Sequence, residues 1–217
     1  MAIALDAVTD QAQASGSTYS FSHTCTGSNL ILWVGIFGDT TDTLTGITYN
    51  GVAMTVYQKV GMGFGDRWIY LCYLVNPATG SNTVEATFSA STFAKAVAVS
   101  YTGAKQTGQP DNGNNWTDLF TASISHSVTT VADNCWMVFI AKTNGVGTPT
   151  AGTGSTSRGG SNSFSFFDSN GAITPAGSYT MECSVGGSAV WGSCMASFSP
   201  AVSSSNFRPR MMLMGCG

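Results

Sequence analysis

Two stretches decide the architecture. They are Gly80–Ala104, GSNTVEATFSASTFAKAVAVSYTGA, and Gly177–Ala201, GSYTMECSVGGSAVWGSCMASFSPA. In the first, Val84, Ala86 and Phe88 alternate with Glu85 and Thr87. In the second, Met181, Cys183 and Val185 alternate with Glu182 and Ser184. A period of two residues marks a β-strand with one apolar and one wet face. The stretches align without a gap and agree at 7 of 25 positions. Ser, Gly and Ala are abundant here, so the shared alternation carries more weight than the identities. Glu85 and Glu182, the only two glutamates of the chain, fall opposite each other on the wet face. A slip of one residue would bury both carboxylates.

The rest of the chain reads in the same way. Short apolar runs are separated by Gly, Asn, Asp, Ser and Thr, and almost nothing has helical periodicity. Strands are expected at Ile3–Val8, Tyr19–Thr24, Leu30–Phe37, Gly46–Tyr49, Val52–Val60, Arg67–Val75, Thr83–Phe88 and Ala94–Thr102. The second half adds Phe120–Val128, Cys135–Lys142, Phe164–Asp168, Tyr179–Val185, Trp191–Ser199 and Phe207–Leu213. Asn50-Gly51 accepts positive φ at both positions and predicts a type I′ hairpin turn. Thr143–Asn162, rich in Gly, Ser and Thr, reads as a long mobile loop.

A second pair of segments points to internal duplication. Phe21-Ser22-His23 precedes Asn29-Leu30-Ile31-Leu32, as Ile124-Ser125-His126 precedes Asn134-Cys135-Trp136-Met137. The expectation is an all-β protein: an antiparallel, jelly-roll-like β-sandwich over residues 1–201. Its two similar halves span about 18–104 and 120–201, joined by a crossover at 105–119. A half of roughly 85 residues is small for an independent core. One shared sandwich is therefore expected, with two tandem sandwiches as the alternative.

Composition narrows the function. The 217 residues are 43% apolar but only 9% charged, with net charge −3. Ordinary soluble domains carry about 25% charged residues. Here 27 Ser, 27 Thr and 26 Gly must wet the surface instead. Eight scattered cations cannot neutralise a phosphate track, so nucleic acid is not an expected partner. Leu30–Phe37 is far shorter than the ~20 residues of a membrane-crossing helix, so no membrane is expected either. The opening Met1–Asp6 lacks the basic and apolar regions of a secretory signal. Of the six cysteines, Cys25, Cys72, Cys135, Cys183, Cys194 and Cys216, none forms a C-x-x-C pair. Buried free thiols are expected, with Cys183 and Cys194 as the best disulfide candidates if they flank a hairpin.

No catalytic signature is present, and neither an enzyme nor a cofactor is expected. His23 and His126 occupy matching places in the two halves and read as wet-face residues. Glu85 and Glu182 could face each other as a glycosidase pair, but their Thr and Ser neighbours fit an ordinary solvated face. Asp39/Asp42 and the Asp111–Asp118 loop offer oxygen ligands without the spacing of a calcium loop. Trp33, Trp68, Trp136 and Trp191 read as core. Trp116 lies among Asn and Asp and reads as a loop residue, the candidate contact for a glycan ligand. The apolar segment 202–217 reads as an arm or a closing strand. Phe207, Met211, Met212, Leu213 and Met214 would be its subunit-interface residues.

Three runs carry a resemblance to a known group: SHTCTGSNLILWVGI (Ser22–Ile36), ITYNGVAMT (Ile47–Thr55) and WIYLCYLVNPATGSNTV (Trp68–Val84). With the closing AVWGSCMASFSPA (Ala189–Ala201), the chain resembles a β-sandwich domain recurring in tailed-phage virion proteins and some bacterial surface proteins. The resemblance covers residues 1–201, rests on structural motifs and transfers no catalytic or binding residue. It implies a structural, adhesive or capsid-decorating role. The expected function is a non-enzymatic virion structural protein, a capsid-decoration or fibre/tail surface subunit located in the virion. Its partners would be copies of itself and other virion proteins. The alternative is a glycan-binding module or adhesin recognising surface glycans.

Overall fold

The computed structural model describes residues 1–38, 43–63 and 67–202. The arm residues Phe207, Met211, Met212, Leu213 and Met214 lie outside the described residues, as do Asp39, Asp42 and Cys216. Among the described residues the chain is all β, with antiparallel pairing throughout. The first half contains β1 (Ala4–Cys25), β2 (Ile31–Gly38), β3 (Leu44–Tyr49), β4 (Val52–Ala53), β5 (Thr55–Gly61), β6 (Trp68–Val75) and β7 (Gly80–Thr102). The second contains β8 (Asn112–Thr129), β9 (Trp136–Thr143), β10 (Thr150–Ala151), β11 (Thr156–Ser161), β12 (Phe164–Asp168) and β13 (Ser178–Phe198). No helix there is long and apolar enough to cross a membrane.

Each half forms its own sheet, and the two pairing diagrams share one order except for β4, which has no counterpart in the second. The first runs β4-β3-β7-β2-β6-β5 with β1 on β7; the second runs β10-β13-β9-β12-β11 with β8 on β13. The registers coincide too. Glu85 pairs with Ser20, and Glu182 pairs with Ser125. Val34 pairs with Ala98, and Phe139 pairs with Met195. Even the irregularities recur: β5 slips one residue between Val56 and Gln58, and β11 slips between Ser157 and Gly159.

The core has three parts, and β2 shows why. All eight of its residues are buried. Leu32, Val34 and Ile36 enter a core internal to the first half, whereas Ile31, Trp33 and Phe37 enter a core between the halves. β9 divides likewise, with Met137, Phe139 and Ala141 inside the second half and Trp136, Val138 and Ile140 between the halves. A strand buried on both faces reads as a continuous apolar run, not an alternating one. The internal cores arise because the β1–β7 and β8–β13 ribbons bend. Val84 and Ala86, from the first part of β7, share a core with Ala96 and Ala98 from its second part. Bulges opposite the bend, between Gln11 and Thr18, let the ribbon turn back over β2. The result is two curled sheets joined along a shared core, intermediate between one sandwich and two tandem ones.

Several expectations need correction. Ile3–Val8 and Tyr19–Thr24 belong to one strand, as do Thr83–Phe88 and Ala94–Thr102, and Tyr179–Val185 and Trp191–Ser199. The expected crossover at 105–119 contains the start of β8, so the link between the halves is residues 103–111. The expected loop Thr143–Asn162 contains β10 and β11. β11 has no apolar residue; pairing with β12 makes it a strand. Cys183 and Cys194 lie on the same strand, β13, and enter different cores, Cys183 inside the second half and Cys194 between the halves. They do not bridge, and the five described cysteines are buried free thiols.

Gly35 faces the second half at a close contact. A Cβ there would lie 2.6 Å from Ile140 Cγ2 and 3.1 Å from the Phe164 ring. Gly35→Ala is expected to cost about 1–3 kcal/mol through overpacking. Gly46→Ala, which meets nothing within 4 Å, is expected to stay within about 0.5 kcal/mol of wild type. Urea unfolding of both variants checks the pair.

Candidate functional site

Among the described residues, four polar clusters and two clefts hold the candidate chemistry, apart from the Asp10–Lys95 ion pair. The first cluster surrounds His23, which is buried, not on a wet face. Its Nε2 lies 3.1 Å from Ser100 Oγ, its Nδ1 lies 2.9 Å from Thr9 Oγ1, and Ser100 Oγ donates to Asp6 Oδ2 at 2.7 Å. Ser100 has one proton and gives it to Asp6, so Nε2 is the donor to Ser100 and Nδ1 accepts from Thr9. The Ser–His distance suits a nucleophile and its base, but the proton order is the reverse of what such a pair needs. Burial drives the His23 pKa down to about 4 against the upward pull of Asp6, which keeps the ring neutral.

The second cluster contains Trp116. It lies in β8, not in a loop, and is half-buried. Its ring stacks on the His126 imidazole at 4.3 Å and 6°. His126 Nε2 donates to Asp118 Oδ2 at 2.9 Å. Burial pushes the His126 pKa below its usual value, and Asp118 pulls it up. His126, too, is buried. The two histidines are not register partners. His126 pairs with Met181, whose counterpart Val84 pairs with Phe21, whereas His23 pairs with Asn82. The Phe-Ser-His and Ile-Ser-His similarity is thus out of step with the strands by two residues.

The remaining two clusters are stitches. Tyr101 Oη and Arg158 Nε each donate to Asp168 Oδ2 at 2.7 Å, joining the halves through a fully buried carboxylate. Asp111, half-buried, takes hydrogen bonds from Ser199 Oγ and, at 2.9 Å, from Gln109 Nε2. The expected oxygen-ligand loop at Asp111–Asp118 is therefore committed to internal bonds. Among the described residues no group of three His, Cys, Asp or Glu side chains could hold a metal. Glu85 is exposed and Glu182 half-buried, and Ser125 Oγ donates to Glu182 at 3.1 Å.

The first cleft lies between β5 of one half and β8 of the other. It has a volume of about 520 Å³ and is lined by Leu44, Tyr57, Gln58, Lys59, Tyr70 and Asn115, among others. Asn115 Nδ2 donates to Gln58 Oε1 at 2.6 Å. The Tyr57 ring is held edge-on against Trp33 and Tyr73. Lys59 Nζ stands 5.7 Å above the Trp68 ring. Sequence reading missed this cleft because Val52–Val60 looks like one regular strand, and only the slip at Tyr57 turns these side chains together. A second cleft, about 620 Å³, is lined mainly by apolar residues including Ile3, Trp136, Pro200, Ala201 and Val202. Comparison of the chain with protein families, curated proteins and solved structures finds no match.

The depressed His23 pKa fixes a pH dependence. The unfolded histidine titrates near 6.5 and the folded one near 4. Between these values the unfolded state binds more protons, so stability falls as pH drops from about 6.5 to about 4 and levels off below. The Tm difference between wild type and His23→Gln is expected to shrink or invert across this window. A parallel pH dependence of the two proteins would contradict it.

Proposed function

We propose that the chain is a non-enzymatic virion surface subunit, a capsid-decoration or fibre/tail protein, that self-associates through its apolar C-terminal segment. The observation that carries this reading is the second cleft. Its wall ends at Val202, which is 86% exposed and is the last described residue. The chain beyond it brings Phe207, Met211, Met212, Leu213 and Met214. Burying such side chains stabilises by about 1.5–3 kcal/mol each when complete, so a few suffice to offset the ordering of an arm. The low surface charge supports dense packing of copies, since little like-charge repulsion opposes it.

The internal polar bonds support the same role. The buried Ser, His and Asp groups described above bond to one another and hold strands or halves together. Truncation after Ser205 tests the reading. Loss of multimers in analytical ultracentrifugation and electron micrographs, with monomer Tm unchanged, is the expected result. Unchanged assembly, or a monomer that melts earlier without an effect specific to assembly, would overturn it.

A further inference from the structure

We propose that the cleft between β5 and β8 binds an acidic sugar, a pyranose unit bearing a carboxylate. This site goes beyond the assembly reading and does not rest on it. Sugars are recognised by fixed donor–acceptor pairs that match neighbouring hydroxyls, beside an apolar or aromatic wall. The Asn115–Gln58 amide pair supplies such a pair. Because Asn115 Nδ2 donates to Gln58 Oε1, Asn115 Oδ1 remains to accept, while Gln58 Nε2 gives one N–H to the Tyr57 hydroxyl and keeps the other to donate. Each amide fixes the other's orientation, so the pair is set before a ligand arrives. Half-buried Tyr57 and exposed Val56 provide the wall, and beneath it the buried Tyr70 hydroxyl accepts from the Leu44 N–H at 3.2 Å. Lys59 supplies the charge. It is exposed and, among the described residues, has no carboxylate partner. A volume of about 520 Å³ suits one or two sugar units.

A comparison within the molecule strengthens the case. By strand register, Tyr57, Gln58 and Lys59 of β5 correspond to Arg158, Gly159 and Gly160 of β11. Asn115, which pairs with Cys194, corresponds to Asp10, which pairs with Val97. At that other junction Asp10 accepts from the Gly160 N–H at 2.9 Å and from Lys95 Nζ, while Arg158 is held by Asp168. One junction of the two halves is stitched by charged groups. The other, on the same backbone frame, is bridged by neutral bonds, Asn115 to Gln58 and, at 3.0 Å, Thr117 Oγ1 to the Gly61 carbonyl, and leaves a cleft beside them lined by amides, Tyr57 and a lysine.

The test is an NMR titration of the full chain with glucuronic acid and N-acetylneuraminic acid, with glucose as the uncharged comparison. Expected are saturable shifts at the amides of Tyr57, Gln58, Lys59 and Asn115 with at least one acid, and much smaller shifts with glucose. Lys59→Met is expected to weaken binding about tenfold or more with Tm unchanged, and Asn115→Ala, which also removes the bond to Gln58, to weaken it as much with the folded NMR spectrum retained. Trp116→Phe, outside the cleft, leaves binding as it is. No shift with either acid, equal shifts with glucose, or binding indifferent to both variants would overturn the proposal. Unchanged assembly in the two cleft variants keeps this result separate from the reading of the C-terminal segment.

Discussion

The structure depends on the close approach of β2 and β9 across the middle of the molecule. Ile140 projects into the space that a side chain at Gly35 would fill. In the shared register these two residues are counterparts: Gly35 pairs with Val97 and Ile140 with Cys194. Contact between counterparts places them at the centre of the arrangement, with a knob from one half in a notch of the other. Around this contact Trp33, Phe37, Val99 and Tyr101 face Val138, Phe164, Phe166 and Phe198. Interiors are packed as densely as organic crystals, so a filled notch at this point sets the spacing of everything around it.

From that spacing the polar chemistry follows. When two sheets curl and pack back to back, edge strands of one half meet long strands of the other, β5 against β8 and β1 against β11. Backbone and side-chain polar groups at these junctions need partners, because an unmet buried donor or acceptor costs about 1–3 kcal/mol. The chain meets the need with few charges. Asp10, Lys95, Arg158 and Asp168 close one junction, and Lys142 lies with its Nζ 3.7 Å above the Phe37 ring near the same rim. A protein with 9% charged residues thus spends several of them inside, on joining its halves.

The all-β class, the strand alternation and the outward placement of Glu85 were legible in the sequence, because each is a local property with a period of two. The apolar run Leu30–Phe37 was legible as a strand. Its burial on both faces was not, since that depends on a ribbon bending over it and on a second sheet behind it. β11 was invisible because Thr156–Ser161 contains no apolar residue and becomes a strand only through its partner. Trp116 was misplaced for a related reason. Its Asn and Asp neighbours look like turn residues, yet they lie on β8, where alternate side chains reach the wet edge. The Tyr57–Asn115 cleft has no sequence signal, because it is made by a one-residue slip in one strand and a register set in another.

The measurement that tests the account most directly is a double-mutant cycle on Gly35→Ala and Ile140→Ala, followed by urea unfolding. If the halves are keyed through this contact, truncating Ile140 makes room for the methyl group at position 35. The double variant is then more stable than the sum of the single effects, by roughly 0.5–3 kcal/mol, as for residues in direct contact. Strict additivity of the two costs would show that Gly35 and Ile140 do not meet and would contradict the packing on which the fold rests.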